Sequence, residues 1–513
     1  MESQTTVYVR RRDLRIALLL ATCSFLYYLV FYHGHFCGSD EVHLFETTRS
    51  IVERGELTIP EILNSERGSD GRAYGRYEIG QSVLAIPFYL AGKLAAWALP
   101  SGWQTPLAGR QLKEGQLRWG GSIEIFATGL FAPFAAALLV AVFFWTERQL
   151  GASVRSAALT SAILGFCTYT ATMSGYFLRH VVPAALLLAA LGWLRRWRET
   201  RRTKMLLVAG VLLAVGVQTR MDLLLALPGL LFYAIWERGF PRSASRKEIQ
   251  GRLLAIGQAI VLPVVISIAL ILYVNYVKWG RPMAAGGESI AHAFGTPLYV
   301  SLYGFLFSPG LGFFVYSPPA LLVFSAWKSF WRKYRVESIT IVAIASIFLL
   351  SYSAYEDWHG LWSAPGPRYL FILVPLLMLP AGQWLDGALR WTARTWVGAL
   401  AIVGFIFQIP LMAVNFAYAY HFLGYADYRP SYSFLFVPDH SPLATSFRLF
   451  KEGYLVDSWL LNLRRGWEGT AGHPVAAMCV LAVILSLLVS SLWTLLRNVK
   501  EAERRLRDLP TEE

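Results

Sequence analysis

Asp40 and Glu41 are adjacent carboxylates placed where charge is expensive. They lie just past the first apolar span, Ile16 to Tyr32, in the run Gly34-His-Phe-Cys-Gly-Ser-Asp-Glu-Val-His43. Ionisable side chains at the rim of a bilayer mark a functional site by default. A carboxylate held there can take the proton from a hydroxyl as that hydroxyl attacks an electrophile. The same residues also have a structural reading, because Ser39 and Asp40 are good N-caps for the helix that follows. The two readings are compatible: a cap can fix the carboxylate that does the chemistry. Asp40 is then the base, and Glu41 either orients it or continues the cap.

The elements that must position this pair are membrane helices. Of the 513 residues 55% are hydrophobic and 16% charged, and the mean hydropathy is +0.44. A soluble domain carries roughly 25% charged residues. Uncharged apolar runs long enough to span a bilayer recur, most clearly at Leu253–Val277, Thr395–Tyr420 and Val475–Leu496. The expectation is an all-α, polytopic integral membrane protein of about 12 transmembrane helices. The net charge of +14 is spread over short basic segments beside apolar runs, which follows the positive-inside rule and gives no reason to expect a nucleic-acid partner. Cys23, Cys167 and Cys479 fall inside apolar spans and only Cys37 reaches an aqueous loop, so no disulfide framework is implied. The start of the chain has Arg10-Arg11-Arg12 and an apolar stretch but no small-x-small cleavage site, and reads as an uncleaved first helix.

Charge sets the topology. Residues 1–15 with their arginines are expected in the cytoplasm, the first span exits near His33, and the basic loop Arg195–Lys204 is cytoplasmic, as is the tail 497–513 after the last helix, 475–496. Val83–Leu99 is apolar but short and contains Pro87 and Lys93. If it crossed, every later loop would invert, so it is expected to lie in the interface or re-enter. Residues 42–54 form a second interfacial helix, with Val42, Phe45, Ile51 and Val52 on one face, Arg49 and Glu53 on another, and Gly55 as its stop. The first outer loop, 34–122, is therefore large and helical. The core runs from 16 to 415, the last outer loop from 416 to 474, and both termini are cytoplasmic in a multi-pass inner-membrane protein. No internal repeat of the inverted kind found in secondary transporters is visible.

Several outer-face motifs then occur in order: the Asp-Glu pair, Tyr77-Glu-Ile-Gly-Gln-Ser-Val-Leu-Ala-Ile-Pro-Phe-Tyr89, Thr219-Arg220, Asn275-Tyr-Val-Lys-Trp-Gly-Arg-Pro282, Leu306-Phe-Ser-Pro-Gly-Leu-Gly-Phe313, Tyr316-Ser-Pro-Pro319 and Trp358-His-Gly-Leu-Trp-Ser-Ala-Pro-Gly-Pro-Arg-Tyr369. Over roughly residues 15 to 465 this pattern resembles the GT-C membrane glycosyltransferases. Within them it looks like the bacterial relatives of family 39, the dolichyl-phosphate-mannose protein mannosyltransferases, and the aminoarabinose transferase of lipid A is another relative it resembles. The chain departs from the pattern at Leu311, where relatives often carry Arg or Lys, and at Ala364-Pro365, where they often carry an aromatic.

The resemblance implies an extracytoplasmic active site, a polyprenyl-phosphate sugar donor, transfer with inversion, and an envelope lipid, glycan or protein as acceptor. Asp40 is then the base. Arg368 is the first candidate for the donor phosphate, since a guanidinium offers paired donors that match phosphate oxygens. Arg220 and Lys278 are further candidates, and each could equally anchor its helix among lipid headgroups. Asp357, Trp358, His359 and Trp362 are expected to line a sugar or acceptor pocket, against the alternative that the tryptophans belong to an aromatic belt. His180 reads as an interfacial histidine. No cofactor is required by this chemistry; a divalent metal ion on Asp40, His43, Asp357 and His359 is the one candidate, although none of these sit at a close i,i+4 spacing. The rival class is a polytopic transporter or lipid flippase, which predicts charges near mid-membrane and broken helices in paired positions. Here the distinctive residues concentrate in the outer loops.

Overall fold

The computed structural model of the chain describes residues 4–107, 121–236, 246–283, 295–360, 363–387, 391–416, 432–453, 456–466 and 471–507. Trp362 and residues 417–431 lie outside the described residues, as do residues 237–245. The architecture is helical throughout. Its one sheet among the described residues is a two-residue antiparallel ribbon, Glu66–Arg67 against Ala73–Tyr74.

Six described helices are long and apolar enough to cross a membrane: Arg11–Phe31, Ile123–Gln149, Gln250–Trp279, Arg335–Ala354, Ala393–Ala413 and Pro474–Arg505. Shorter apolar helices, Val154–Cys167, Thr203–Thr219, Met221–Ile235 and Leu298–Phe307, stand beside them. Val181–Thr200 has the length to span, but its last turns carry Arg195, Arg196, Arg198 and Glu199. The long helices turn apolar side chains outward, as Leu262, Ile266, Leu270 and Tyr273 do on one and Val483, Leu487, Val489 and Trp493 on another. Between helices the contacts are close. A methyl on Gly210 would stand 1.9 Å from the Ala259 carbonyl oxygen, so only glycine allows Thr203–Thr219 to meet the Gly257–Val261 turn.

Two helices define a long axis for the molecule. Arg335–Ala354 carries Glu337 in its first turn, bonded to Arg195 at 3.1 Å, and Tyr352 in its last turn, bonded to Arg220 at 2.6 Å. At 1.5 Å per residue those ends are about 22 Å apart. Val181–Thr200 runs the other way, with His180 at its start and Arg195 toward its end. The basic cluster and the Arg220 cluster are thus at opposite ends of the bundle.

At the Arg220 end, the Ser39–Arg54 helix begins one residue earlier than a Ser39 or Asp40 cap would allow. Its N-cap is Gly38, which has no side chain to cap with, and the capping is done by Glu41. The Glu41 carboxylate reaches back to accept from Cys37 N at 2.6 Å and Gly38 N at 3.0 Å. It ends at Gly55 in the left-handed region. The Val83–Leu99 stretch folds as two short helices, Gly80–Leu84 and Ile86–Ala98, hinged at Ala85. It is not one of the long apolar crossings. Leu90, Leu94 and Trp97 are exposed, while Tyr89 and Lys93 bind Glu53 of the preceding amphipathic helix at 2.6 and 3.1 Å.

Candidate active site

Asp40 sits in the first turn of the Ser39–Arg54 helix, and three donors converge on its carboxylate. Arg368 Nη1 reaches Oδ2 at 2.9 Å, Ser363 Oγ donates to the same oxygen at 2.8 Å, and the Tyr77 hydroxyl donates to Oδ1. The Asp40 side chain keeps 21% of its surface exposed, while that of Arg368 keeps 7%. Burial pushes the Asp40 carboxyl up. The Arg368 guanidinium and the hydrogen bonds from Tyr77, Ser363 and Arg368 override it and hold the group at about 2.

Each partner is placed by its own local structure. Arg368 follows Gly366-Pro367, and Gly366 has φ +82°. A methyl there would stand 2.7 Å from Tyr316 Cδ1 and 3.0 Å from Tyr169 Cε2, so the loop that aims Arg368 needs glycine for conformation and for space. The Tyr169 hydroxyl donates to the Pro365 carbonyl and pins the same loop. Tyr77 is held from behind: Lys278 Nζ donates to the carbonyls of Gly75 and Tyr77, both at 2.9 Å. Lys278 is buried in this role and turned toward the backbone.

Glu41 points away from the reacting face. Besides Cys37 and Gly38, it accepts from Phe177 N at 2.6 Å, which ties the 174–180 turn to the Asp40 loop. Burial pushes its carboxyl up to about 7 against the pull of those amides. Both of its oxygens are engaged by backbone amides beside Asp40.

The second half of the site surrounds Arg220. Its Nε donates to both oxygens of Asp222 at 2.8 Å, its Nη2 donates to Tyr352 at 2.6 Å, and the Tyr352 hydroxyl donates to Asp222. Arg220 and Arg368 both approach the Tyr369 ring: their Cζ atoms lie 5.6 and 5.2 Å from its centroid. Tyr369 in turn stacks on Tyr352 with centroids 4.8 Å apart. On the other flank Arg179 pairs with Glu78 and lies 4.0 Å over the Tyr77 ring, and Glu78 accepts from Met221 N at 3.2 Å. The contacts close a circuit: Asp40, Tyr77, Arg179, Glu78, the 220–222 turn, Tyr369, Arg368 and back to Asp40.

The expected pocket residues are divided. His359 lies near enough for the Arg368 charge to act on it, and burial first and that charge second lower its ring to about 4. Trp358 is buried, edge-on to Phe305 at 5.3 Å, as a core residue. Asp357 is exposed and outside the circuit. The four proposed metal ligands do not form a set. His43 turns Nε2 to the Leu63 carbonyl at 2.9 Å, the Asp40 oxygens are taken, and no group of three His, Cys, Asp or Glu among the described residues is arranged to hold a metal ion. Tyr77, Glu78, Arg179, Ser363 and Tyr369 were not singled out from the sequence as site residues. Tyr77-Glu78 and Ser363 through Tyr369 stand inside the quoted motifs, which was the signal available.

The fold is that of a polytopic helical membrane protein, similar to the GT-C architecture. Along the sequence, the profile of the family described as dolichyl-phosphate-mannose-protein mannosyltransferase matches residues 104–280, about a third of the chain. Among solved structures the chain is similar to ArnT from Cupriavidus metallidurans in the apo state, with 14% identity, a TM-score of 0.50, and coverage of 97% of this chain and 78% of that one. ArnT from the same organism bound to undecaprenyl phosphate aligns at 13% identity and TM-score 0.47, covering 97% of this chain and 76% of that one. The Archaeoglobus fulgidus oligosaccharyltransferase in the apo form aligns at 11% identity and TM-score 0.46, covering 87% and 60%. No curated protein matches the chain.

Proposed function

We propose that the chain is an inverting glycosyltransferase of the inner membrane, moving a sugar from a polyprenyl-phosphate carrier to an acceptor hydroxyl at the extracytoplasmic face. The observation that carries this reading is the Asp40–Arg368 contact at 2.9 Å, a carboxylate and a buried guanidinium on one spot at one end of the bundle. The profile match over 104–280 and the GT-C architecture support the class; the chemistry is argued from the site itself.

The acceptor oxygen attacks the anomeric carbon, the bond from that carbon to the phosphate oxygen breaks, and the acceptor proton passes to Asp40. The lipid phosphate leaves as an anion and needs positive charge more than a proton. Arg368 and Arg220, both beside the Tyr369 ring, supply it. Paired with Arg368, Asp40 is a weak base. A phosphate drawn to Arg368 shares that guanidinium, and the burial that pushes the carboxyl up then acts with less opposition. Donor binding and base strength are coupled through one arginine. Lys278 stays outside this chemistry, supporting Tyr77 from behind.

The test is turnover by purified protein in liposomes: transfer of labelled sugar from a polyprenyl-phosphate carrier to an envelope-extract acceptor, against uptake of the same label without transfer. Uptake without a new glycosidic bond would make the chain a transporter or flippase.

A further inference from the structure

His180 lies beside the circuit and takes part in none of its hydrogen bonds. It precedes the 20-residue helix Val181–Thr200 and is 7% exposed. Neither Nδ1 nor Nε2 has a hydrogen-bond partner. Its ring centroid lies 6.3 Å from that of Tyr369, the ring that Arg220 and Arg368 flank at 5.6 and 5.2 Å. Arg179 is its chain neighbour. Arg368 has a second orphan on the same side: Nε is buried and unpartnered while Nη1 holds Asp40.

Buried polar atoms without partners are costly, and a native structure that keeps several together calls for a reason. Here the charges that act on the ring are guanidiniums. Arg179, Arg220 and Arg368 all act on the imidazole, and with burial, the larger cause, they keep it in its neutral form. The facing acids are spoken for, Glu78 by Arg179, Asp222 by Arg220 and Asp40 by Arg368. The helix that starts at Val181 has no side-chain cap, so its amino end adds a partial positive charge. A neutral imidazole has one N–H to give. Orphan donors, clustered cations and an uncapped helix start all favour a compact oxyanion.

We propose that His180 is a phosphate ligand: one ring N–H donates to an oxygen of a phosphate group held between Arg220 and Arg368, beside the start of the Val181–Thr200 helix. Assigning that phosphate to the lipid-linked donor rests on the glycosyltransferase reading; the anion site itself does not.

The experiment is binding to full-length protein in detergent, with geranyl phosphate and inorganic phosphate as probes, for wild type, His180→Phe, His180→Asn and Arg368→Ala. Phe keeps an aromatic ring of similar shape and removes the donor. Asn keeps a donor and loses the ring. Loss of one hydrogen bond to a charged group predicts roughly 10- to 100-fold weaker geranyl phosphate binding for His180→Phe, with most of it restored in His180→Asn. Equal affinity for inorganic phosphate would keep the site and make free phosphate its ligand. A folded His180→Phe protein that binds geranyl phosphate like wild type, while Arg368→Ala does not, overturns the proposal and reduces His180 to packing against Tyr369. If His180→Phe does not fold, His180→Ala takes its place. Weaker geranyl phosphate binding in Ala that is mostly restored in Asn supports the donor role, and wild-type binding in Ala while Arg368→Ala is impaired overturns it. Wild-type protein that binds neither probe overturns it as well. Histidine-dependent binding without any sugar turnover leaves the anion site standing and removes the glycosyltransferase reading; turnover with histidine-independent binding does the reverse.

Discussion

At the scale of single residues, the argument turns on how tightly Asp40 is held. Asp40→Asn keeps the shape, and an amide oxygen can still accept from Ser363 and Arg368 while its NH2 turns to the Tyr77 hydroxyl. The buried Arg368 loses its counter-charge, so the variant should insert with reduced stability, and turnover is compared per folded protein. The amide cannot take a proton, and turnover should drop by about 10²–10⁴, equivalent to roughly 3–5.5 kcal/mol of barrier. Near-wild-type turnover from a well-folded Asp40→Asn protein would leave Asp40 with a structural role only. The pH profile carries a second expectation. The rate constant kcat/KM reports the free protein and kcat the donor complex. Asp40 is held at about 2 by its pairing with Arg368, so kcat/KM should show no acid limb from it between pH 4 and 7. Sharing Arg368 with a phosphate weakens the lowering influence, so the acid limb of kcat should lie at higher pH than that of kcat/KM. Coincident limbs would argue against the exchange. Much of this site was legible beforehand because Asp40 and Arg368 are charges at membrane edges, where position alone marks them. Lys278 looked the same by that criterion and yet turns inward to two carbonyls. A span-end lysine reads alike whether it faces headgroups or backbone, and only the fold of the 75–77 turn decides.

At the scale of elements, the Asp40 loop is fixed by contacts from distant parts of the chain. Glu41 ties it to Phe177, and His35 ties it to the segment that follows the last outer loop: His35 Nε2 meets Asp457 Oδ2 at 2.7 Å, with Asn415 at 3.2 Å and Asn462 at 3.4 Å on the same carboxylate. Nothing in the local sequence marks His35 and Asp457 as partners, since they are far apart in the chain, and a helix-periodicity reading has no access to such pairs. The amphipathic 42–54 helix was legible because its period is local; its true start was not, because Gly38 caps only with help from Glu41. Both partners of the His35–Asp457 pair are buried. Asp457→Asn should therefore destabilise the protein by about 3–5 kcal/mol, the usual cost of breaking a buried pair. The pH dependence follows from the signs. Burial lowers the His35 ring, but the Asp457 charge and hydrogen bond override it and raise it to about 9, while Asp457 is held well below the usual carboxylate range. The histidine's contribution is fully present below its unfolded value near 6.5 and is lost as pH rises through about 9. The aspartate's contribution is present above its unfolded value near 3.8 and is lost only in strong acid. Thermal unfolding in detergent should show wild type losing stability between pH 7 and 10. Asp457→Asn should be less stable at pH 7 and flatter over that range. Equal slopes for the two proteins would remove the pair from the stability of the loop.

At the scale of the whole molecule, the two charge clusters lie at opposite ends of the helix bundle. Glu337 and Tyr352 lie on one helix about 22 Å apart. The first is bonded to Arg195 of the basic loop and the second to Arg220 of the site. Val181–Thr200 repeats the relation in the opposite direction, from His180 to Arg195. In a chain of net charge +14 whose arginines gather at Arg195–Lys204, the positive-inside rule predicts that this end faces the cytoplasm. The Asp40–Arg368 end is then predicted to be extracytoplasmic, along with the Ser69 turn and the Asp439 turn. Three single cysteines test this in a background with Cys23, Cys37, Cys167 and Cys479 replaced: Ser69→Cys, Thr200→Cys and Asp439→Cys, all at exposed positions. In intact cells positions 69 and 439 should react with a membrane-impermeant maleimide, and position 200 should react only after permeabilisation. Reaction at 200 without permeabilisation, together with protection at 69 and 439, would invert the molecule. The site would then face the cytoplasm, and a lipid-linked sugar presented on the outer leaflet would have no access to it.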